Sequence, residues 1–200
     1  MYVPPHFEEK DPEVLRALIA AHALGAWVTS TLVVNHIPFL LRGDTLVGHV
    51  SRANDVWKNL SGESVVIFQG PEAYITPSWY ASKQEHGKVV PTWNYAVVHV
   101  HGTPRAIEDH AWLLGLVTEL TDTNEAPRAN PWKVTDAPAD YVRASLKAIV
   151  GIEIPIRAMV GKWKASQNRS AEDRAGVVEG LREAGDNAAA DLAARLPRNT

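Results

Sequence analysis

Between Ala26 and His101 the apolar positions come in short runs with the two-residue alternation of strands, while on either side they recur at helical spacing. Near the start, Val14, Leu15, Leu18, Ile19 and His22 share one helical face behind Asp11, an N-cap, and Pro12, a proline suited to the first helical position. Gly25 is expected to end that helix. Six β-branched runs follow: "AWVTSTLVV", "IPFLLRG", "TLVGHVS", "SVVIFQG", "AYITPSWY" and "AVVHVHGTP", separated by Gly, Asn, Asp and Pro signals. Closely spaced short strands of this kind predict an antiparallel barrel.

Helical spacing returns in "DHAWLLGLVTEL", from Asp109, and "DAPADYVRASLKAI", from Asp136, each expected to begin with a capping aspartate. "IVGIEIPIRAMVGKW" then reads as a strand that closes the sheet. After Ser170 the chain turns alanine-rich, with a Ser cap and acidic first turn, and predicts a helix packed on its own domain or on a second subunit. The expected organisation is one domain over residues 1–169 with residues 170–200 as its helical extension, mainly β with peripheral helices.

The stretch "VPTWNYAVVHVHG" sets Trp93, Tyr95, Val97, His99 and His101 on one strand face and Asn94, Ala96, Val98 and Val100 on the other. Two imidazoles at i and i+2 can point at one metal ion, but zinc catalysis takes three protein ligands. The remaining histidines stand in unrelated contexts, so the pair is read as hydrogen-bonded or interfacial and no metal is expected.

Composition narrows the classes. With 46% hydrophobic and 22% charged residues the 200-residue chain can bury a sizeable core, and a net charge of −3 gives no global attraction for nucleic acid. The absence of cysteine removes disulfides, thiolate ligands and a cysteine nucleophile. Apolar runs fall short of a membrane span and the first residues lack a signal-peptide pattern, so a cytoplasmic protein is expected.

Three segments carry candidate chemistry. "GHVSRANDVWKNL" ends a strand with Ser51, Arg52 and Asn54 where a turn begins, a hydroxyl and guanidinium suited to a phosphate; the alternative is a capping serine with a solvent-facing arginine. "NHIPFLL" puts Pro38 within a strand, which belongs at an edge, at a bulge or beside another molecule. "GKWKASQNRS" gathers Lys162, Lys164 and Arg169 with Trp163, Gln167 and Asn168, a mixture for an anionic ligand, a nucleic-acid backbone or a solvated turn. Of the seven tryptophans, Trp57, Trp79, Trp93 and Trp163 adjoin polar clusters, where an aromatic can line a planar ligand.

Taken in order, "VPPHF", "NHIPFLL", "GHVSRANDVW", "VIFQGPEAYITPSWY", "VPTWNYAVVHVHG", "IVGIEIPI" and "GKWKASQNRS" resemble the PaiB family of FMN-binding negative transcriptional regulators, over Met1 to Leu181. The resemblance implies a six-stranded antiparallel split β-barrel of the flavin reductase and pyridoxamine phosphate oxidase type, as a homodimer with FMN at the subunit interface. It places Asn35, His36, Ile37 and Pro38 beside the isoalloxazine, and Ser51, Arg52 and Asn54 at the phosphate. Trp93 and Asn94 of "TWNY" and Lys162, Lys164, Gln167 and Asn168 of "GKWKASQN" would complete the pocket. Ala53 stands where oxidase relatives often carry a second basic residue. The resemblance further implies a bacterial regulator, with DNA as a partner on that ground alone, since no helix-turn-helix is evident. An FMN-dependent oxidoreductase and a haem-binding split barrel are the alternatives; no catalytic acid or base is identifiable.

Overall fold

The six runs expected to build the sheet become six strands with shifted boundaries, and three further strands lie outside them, making nine among the described residues. The computed structural model describes residues 1–195. Its elements begin with β1 (Glu8–Glu9), α1 (Pro12–Ala21), β2 (Leu24–Val28), β3 (Val34–Pro38), β4 (Leu40–Arg42), β5 (Thr45–Ser51), β6 (Ser64–Ile75) and α2 (Ser82–His86). They continue with β7 (Thr92–Gly102), β8 (Arg105–Ile107), α3 (His110–Glu125), α4 (Ala139–Lys147), β9 (Ile149–Lys164), α5 (Ala171–Glu183) and α6 (Asn187–Ala194).

The corrections have physical causes. "AWVTSTLVV" breaks because Leu32 takes a left-handed φ of 65° and its N–H donates to Thr29 O at 3.0 Å, a turn between β2 and β3. "IPFLLRG" breaks at Phe39, whose side chain is buried and whose N–H donates to Ala23 O at 2.9 Å. "SVVIFQG" and the start of "AYITPSWY" instead fuse into β6, because Gly70 and Pro71 leave the strand intact. The hydrogen-bonded order is β3-β2-β6-β7-β9-β5-β4, with β1 and β8 also on β9. The last strand therefore does not close the sheet as a terminal member; its 16 residues are long enough to take several partners.

Two helix boundaries also differ. Asp11 caps α1 as expected, accepting from the Glu13 N–H at 2.9 Å, but His22 ends that helix and Gly25 lies inside β2. Asp136 does not cap α4. It closes a 3₁₀ turn at Val134–Asp136, accepting from the Lys133 N–H at 2.9 Å, and Pro138 precedes α4 without a side-chain cap. Asp109 and Ser170 do cap α3 and α5, through the N–H groups of Trp112 and Asp173.

The chain divides into two compact units. One comprises residues 23–67 and 100–158. In it β2 pairs antiparallel with β3 and β6, setting Trp27 opposite Asn35 and Val66, and β5 pairs antiparallel with β9, setting His49 opposite Gly151 and Ser51 opposite Ile149. β4 and β5 form a hairpin turning at Gly43, whose φ of 56° suits glycine. Helix α3 covers β5 through Leu116 and Leu120 against Val47, with Trp112 at the margin.

The other unit comprises residues 1–22, 68–99 and the described residues from Met159. Leu15 and Leu18 of α1 reach the close approaches left by Gly161 on β9 and Gly70 on β6. Helices α5 and α6 pack on this unit through Val177, Leu181, Ala189, Ala190 and Ala193, which form one cluster with Ile75 and Tyr80. The expected alternation on β7 is present: Asn94, Ala96, Val98 and Val100 are buried, Trp93 is exposed, and Tyr95, His99 and His101 are half-buried. Val97 is the exception, buried on the mixed face.

No helix among the described residues is long and apolar enough to cross a membrane.

Candidate functional site

The first unit brings together the two segments that the sequence singled out separately. β5 ends at Ser51, and a 3₁₀ turn, Asp55–Lys58, follows at once. Asn54 caps that turn: its Oδ1 accepts from the Val56 N–H at 3.1 Å, while its Nδ2 donates to Asn35 Oδ1 on β3 at 2.6 Å. One residue thus starts the turn and ties it to the edge strand. On the Asn35 side the Nδ2 is buried without a hydrogen-bond partner. The rest of β3 alternates as a strand should, with Ile37 buried and His36 and Pro38 exposed, and Pro38 ends the strand at the sheet edge where a missing N–H costs no ladder bond.

Arg52 is partly exposed but not loose. Its Nε donates to Lys147 O at 2.8 Å, Nη2 to Ile149 O at 3.2 Å and Nη1 to Glu108 Oε2 at 2.6 Å, and the guanidinium lies 5.5 Å from the Trp57 ring centroid. The Arg52 N–H also donates to Ala148 O at 2.8 Å, and the Trp57 indole returns a bond to Arg52 O at 3.1 Å. The carbonyls in the last turn of α4 are orphans of that helix, and a cation satisfies them well. A guanidinium has five N–H donors, so two stay uncommitted. Ser51 is exposed, and its Oγ accepts from the Ala53 N–H at 3.3 Å. Glu108 and the two carbonyls are the partners that sequence reading missed; they lie 56 to 97 residues from Arg52, and no local pattern announces them.

The remaining candidates belong to the second unit. Asn94 is fully buried and exchanges hydrogen bonds with Ser166 Oγ, at 3.0 and 3.2 Å, so it anchors the loop in which Ser166 adopts a φ of 62°. Lys164 Nζ donates to Thr92 Oγ1 and to Trp93 O. Burial, then the neighbouring Lys162 and Arg169 charges, push its ammonium below the ordinary lysine range. Lys162 donates to Tyr2 O at 3.2 Å and sits 5.3 Å from the Tyr95 ring centroid. Gln167 staples the loop, accepting from the Ala165 N–H at 2.7 Å and donating to His6 O at 3.0 Å and to Trp163 O. Trp93 meets Tyr74 edge to face at 6.0 Å, both half exposed. Asn168 lies apart from these, lining an open pocket of about 400 Å³ with Ser82, His86 and Asp173.

Among the described residues no group of three or more His, Cys, Asp or Glu side chains is placed to hold a metal ion. The donors at the first unit's corner, a hydroxyl and two spare guanidinium N–H groups, suit an anionic, phosphate-bearing ligand, with the Glu108 carboxylate beside them.

The family described as "Putative FMN-binding domain" matches residues 1–158. The chain is 32% identical to an uncharacterized protein of Emericella nidulans, over 94% of this chain and 93% of the relative. It is 30% identical to the protease synthase and sporulation protein PAI 2 of Bacillus subtilis, over 90% of this chain and 89% of the relative. Among solved structures, the FAD and haem binding protein of Mycobacterium smegmatis has a similar fold, with a TM-score of 0.60 at 18% identity, covering 78% of this chain and 73% of that one.

Proposed function

The chain belongs to the PaiB-type FMN-binding domain family, and on that premise we propose that it binds FMN, with the phosphate held by Ser51 and Arg52 and the ring along Asn35 to Pro38. The observation that carries the reading is the Asn54 to Asn35 hydrogen bond, which ties the turn bearing the phosphate donors to the strand that would border the ring. Spacing between the two parts of the ligand is thereby set by one side-chain contact rather than by two independent loops. Bound flavin would supply the redox chemistry; the chain's own part is to hold the phosphate, to orient the ring edge and to keep one face of it dry.

Trp93, Lys162 and Lys164 support a second contribution to the pocket in a homodimer of the split-barrel type, with the exposed Trp93 and Tyr74 as apolar surface for a partner subunit. Regulation of transcription is the role the family resemblance favours, with the flavin as the sensed or stabilising ligand. The net charge of −3 favours recognition of DNA through a local patch only.

The absorption spectrum of the purified protein, before and after incubation with FMN, tests the reading. Flavin bands that stay with the protein through gel filtration are expected. A Soret band without flavin bands would replace FMN by haem, and neither chromophore after incubation would remove the cofactor.

A further inference from the structure

We propose that Glu108 sets how strongly this protein favours a phosphorylated flavin over one without phosphate, by competing with the phosphate for Arg52; the proposal rests on the flavin reading above. Arg52 is held from two sides by backbone carbonyls, Lys147 O at 2.8 Å and Ile149 O at 3.2 Å. Those contacts fix the direction of the guanidinium. The third contact is different in kind. Glu108 Oε2 accepts from Nη1 at 2.6 Å and brings a full negative charge to the one cation among the phosphate candidates of this corner.

A phosphate arriving there finds the right donors with a carboxylate already on them. Two like charges sharing one guanidinium repel, so the carboxylate must either leave or weaken the phosphate's hold. The Glu108 side chain is 56% exposed, which lets it turn to water at small cost. Its backbone is fixed independently of that side chain, because the neighbouring Asp109 caps α3 through the Trp112 N–H at 2.7 Å. Replacing the carboxylate therefore removes the competitor and leaves both the Arg52 orientation and the α3 cap in place. Riboflavin has no phosphate and feels none of this.

If Glu108 served instead to position Arg52, its loss would weaken FMN binding, so the sign of the effect separates the two roles. The test is a titration of FMN and of riboflavin, read by flavin fluorescence, into wild type, Glu108→Gln and Glu108→Ala. Both variants are expected to bind FMN about fivefold more tightly than wild type, the reach of an exposed ion pair, with riboflavin affinity unchanged. The FMN gain is expected to shrink at about 0.5 M salt. FMN affinity that is unchanged or weaker, or an equal gain for both flavins, would overturn the competition while leaving the flavin reading standing. Wild type that binds neither flavin would overturn both.

Discussion

Asn54 donates to Asn35 across 2.6 Å while capping its own turn, so one amide fixes both the geometry of the β5 corner and its distance from the edge strand. Replacing Asn54 by Ala removes the cap and the cross-link together. Denaturant unfolding is expected to show a loss of about 1–2 kcal/mol. Asn54→Asp keeps an acceptor for the Val56 N–H, and the unpartnered Asn35 amide can flip to donate to the second carboxylate oxygen. That variant is expected to retain most of the stability; an equal loss in both variants would show that the amide donor itself is required.

Arg52→Ala strips two hydrogen bonds from the junction of α4 and β9 and one from Glu108, as well as the proposed phosphate ligand. The expected result is a lower unfolding midpoint together with a loss of FMN affinity of about 1.5–3 kcal/mol, the range for hydrogen bonds to a charged group. Riboflavin affinity should fall much less in the same folded fraction. Equal losses for the two flavins would place the phosphate elsewhere.

Much of this corner was legible in the chain, and the reasons are local. A strand ending at Ser51 with a turn after it and an edge-compatible Pro38 are properties of neighbouring residues, and β7 declared its buried face through alternation broken only at Val97; the cap, read as the serine, is Asn54. The contacts that hold Arg52 were not legible, because its partners lie 56 to 97 residues away. Strand number was misjudged where a break depends on a single backbone contact, as at Phe39, or where a strand of two or three residues exists only because β9 offers it an edge. Asp136 misled for a similar reason: the same side chain can cap a 3₁₀ turn or a helix, and the proline at 138 decided which.

The first unit's packing predicts opposite outcomes at two glycines. A Cβ at Gly151 would collide with the Trp112 ring, whereas one at Gly115, on the exposed side of α3, would meet nothing within 4 Å. Gly151→Ala is expected to destabilise by about 1–3 kcal/mol through overpacking. Gly115→Ala is expected to stabilise by about 0.5–1 kcal/mol through helix propensity. Thermal unfolding of the two variants checks both signs at once.

His49 gives the pH dependence. Burial holds its imidazole below the ordinary value of 6.5, and its Nδ1 is buried without a partner. Above that value the folded and unfolded chains both carry it neutral. Below it the unfolded chain takes up a proton that the folded chain resists, so stability falls from pH 6.5 down to the lower folded value and then levels. Unfolding midpoints between pH 7.5 and 5.5 are expected to fall less for His49→Gln than for wild type. Parallel curves would mean that His49 does not couple to folding.

The most direct test of FMN binding at this corner is a backbone amide map by two-dimensional nitrogen–proton NMR while FMN is added. Shifts are expected to concentrate at Asn35 to Ile37 and Ser51 to Asn54, with the Ser51 to Asn54 shifts much reduced when riboflavin is added instead. Amides that do not move, or shifts confined to the helices α5 and α6, would contradict FMN binding at this corner.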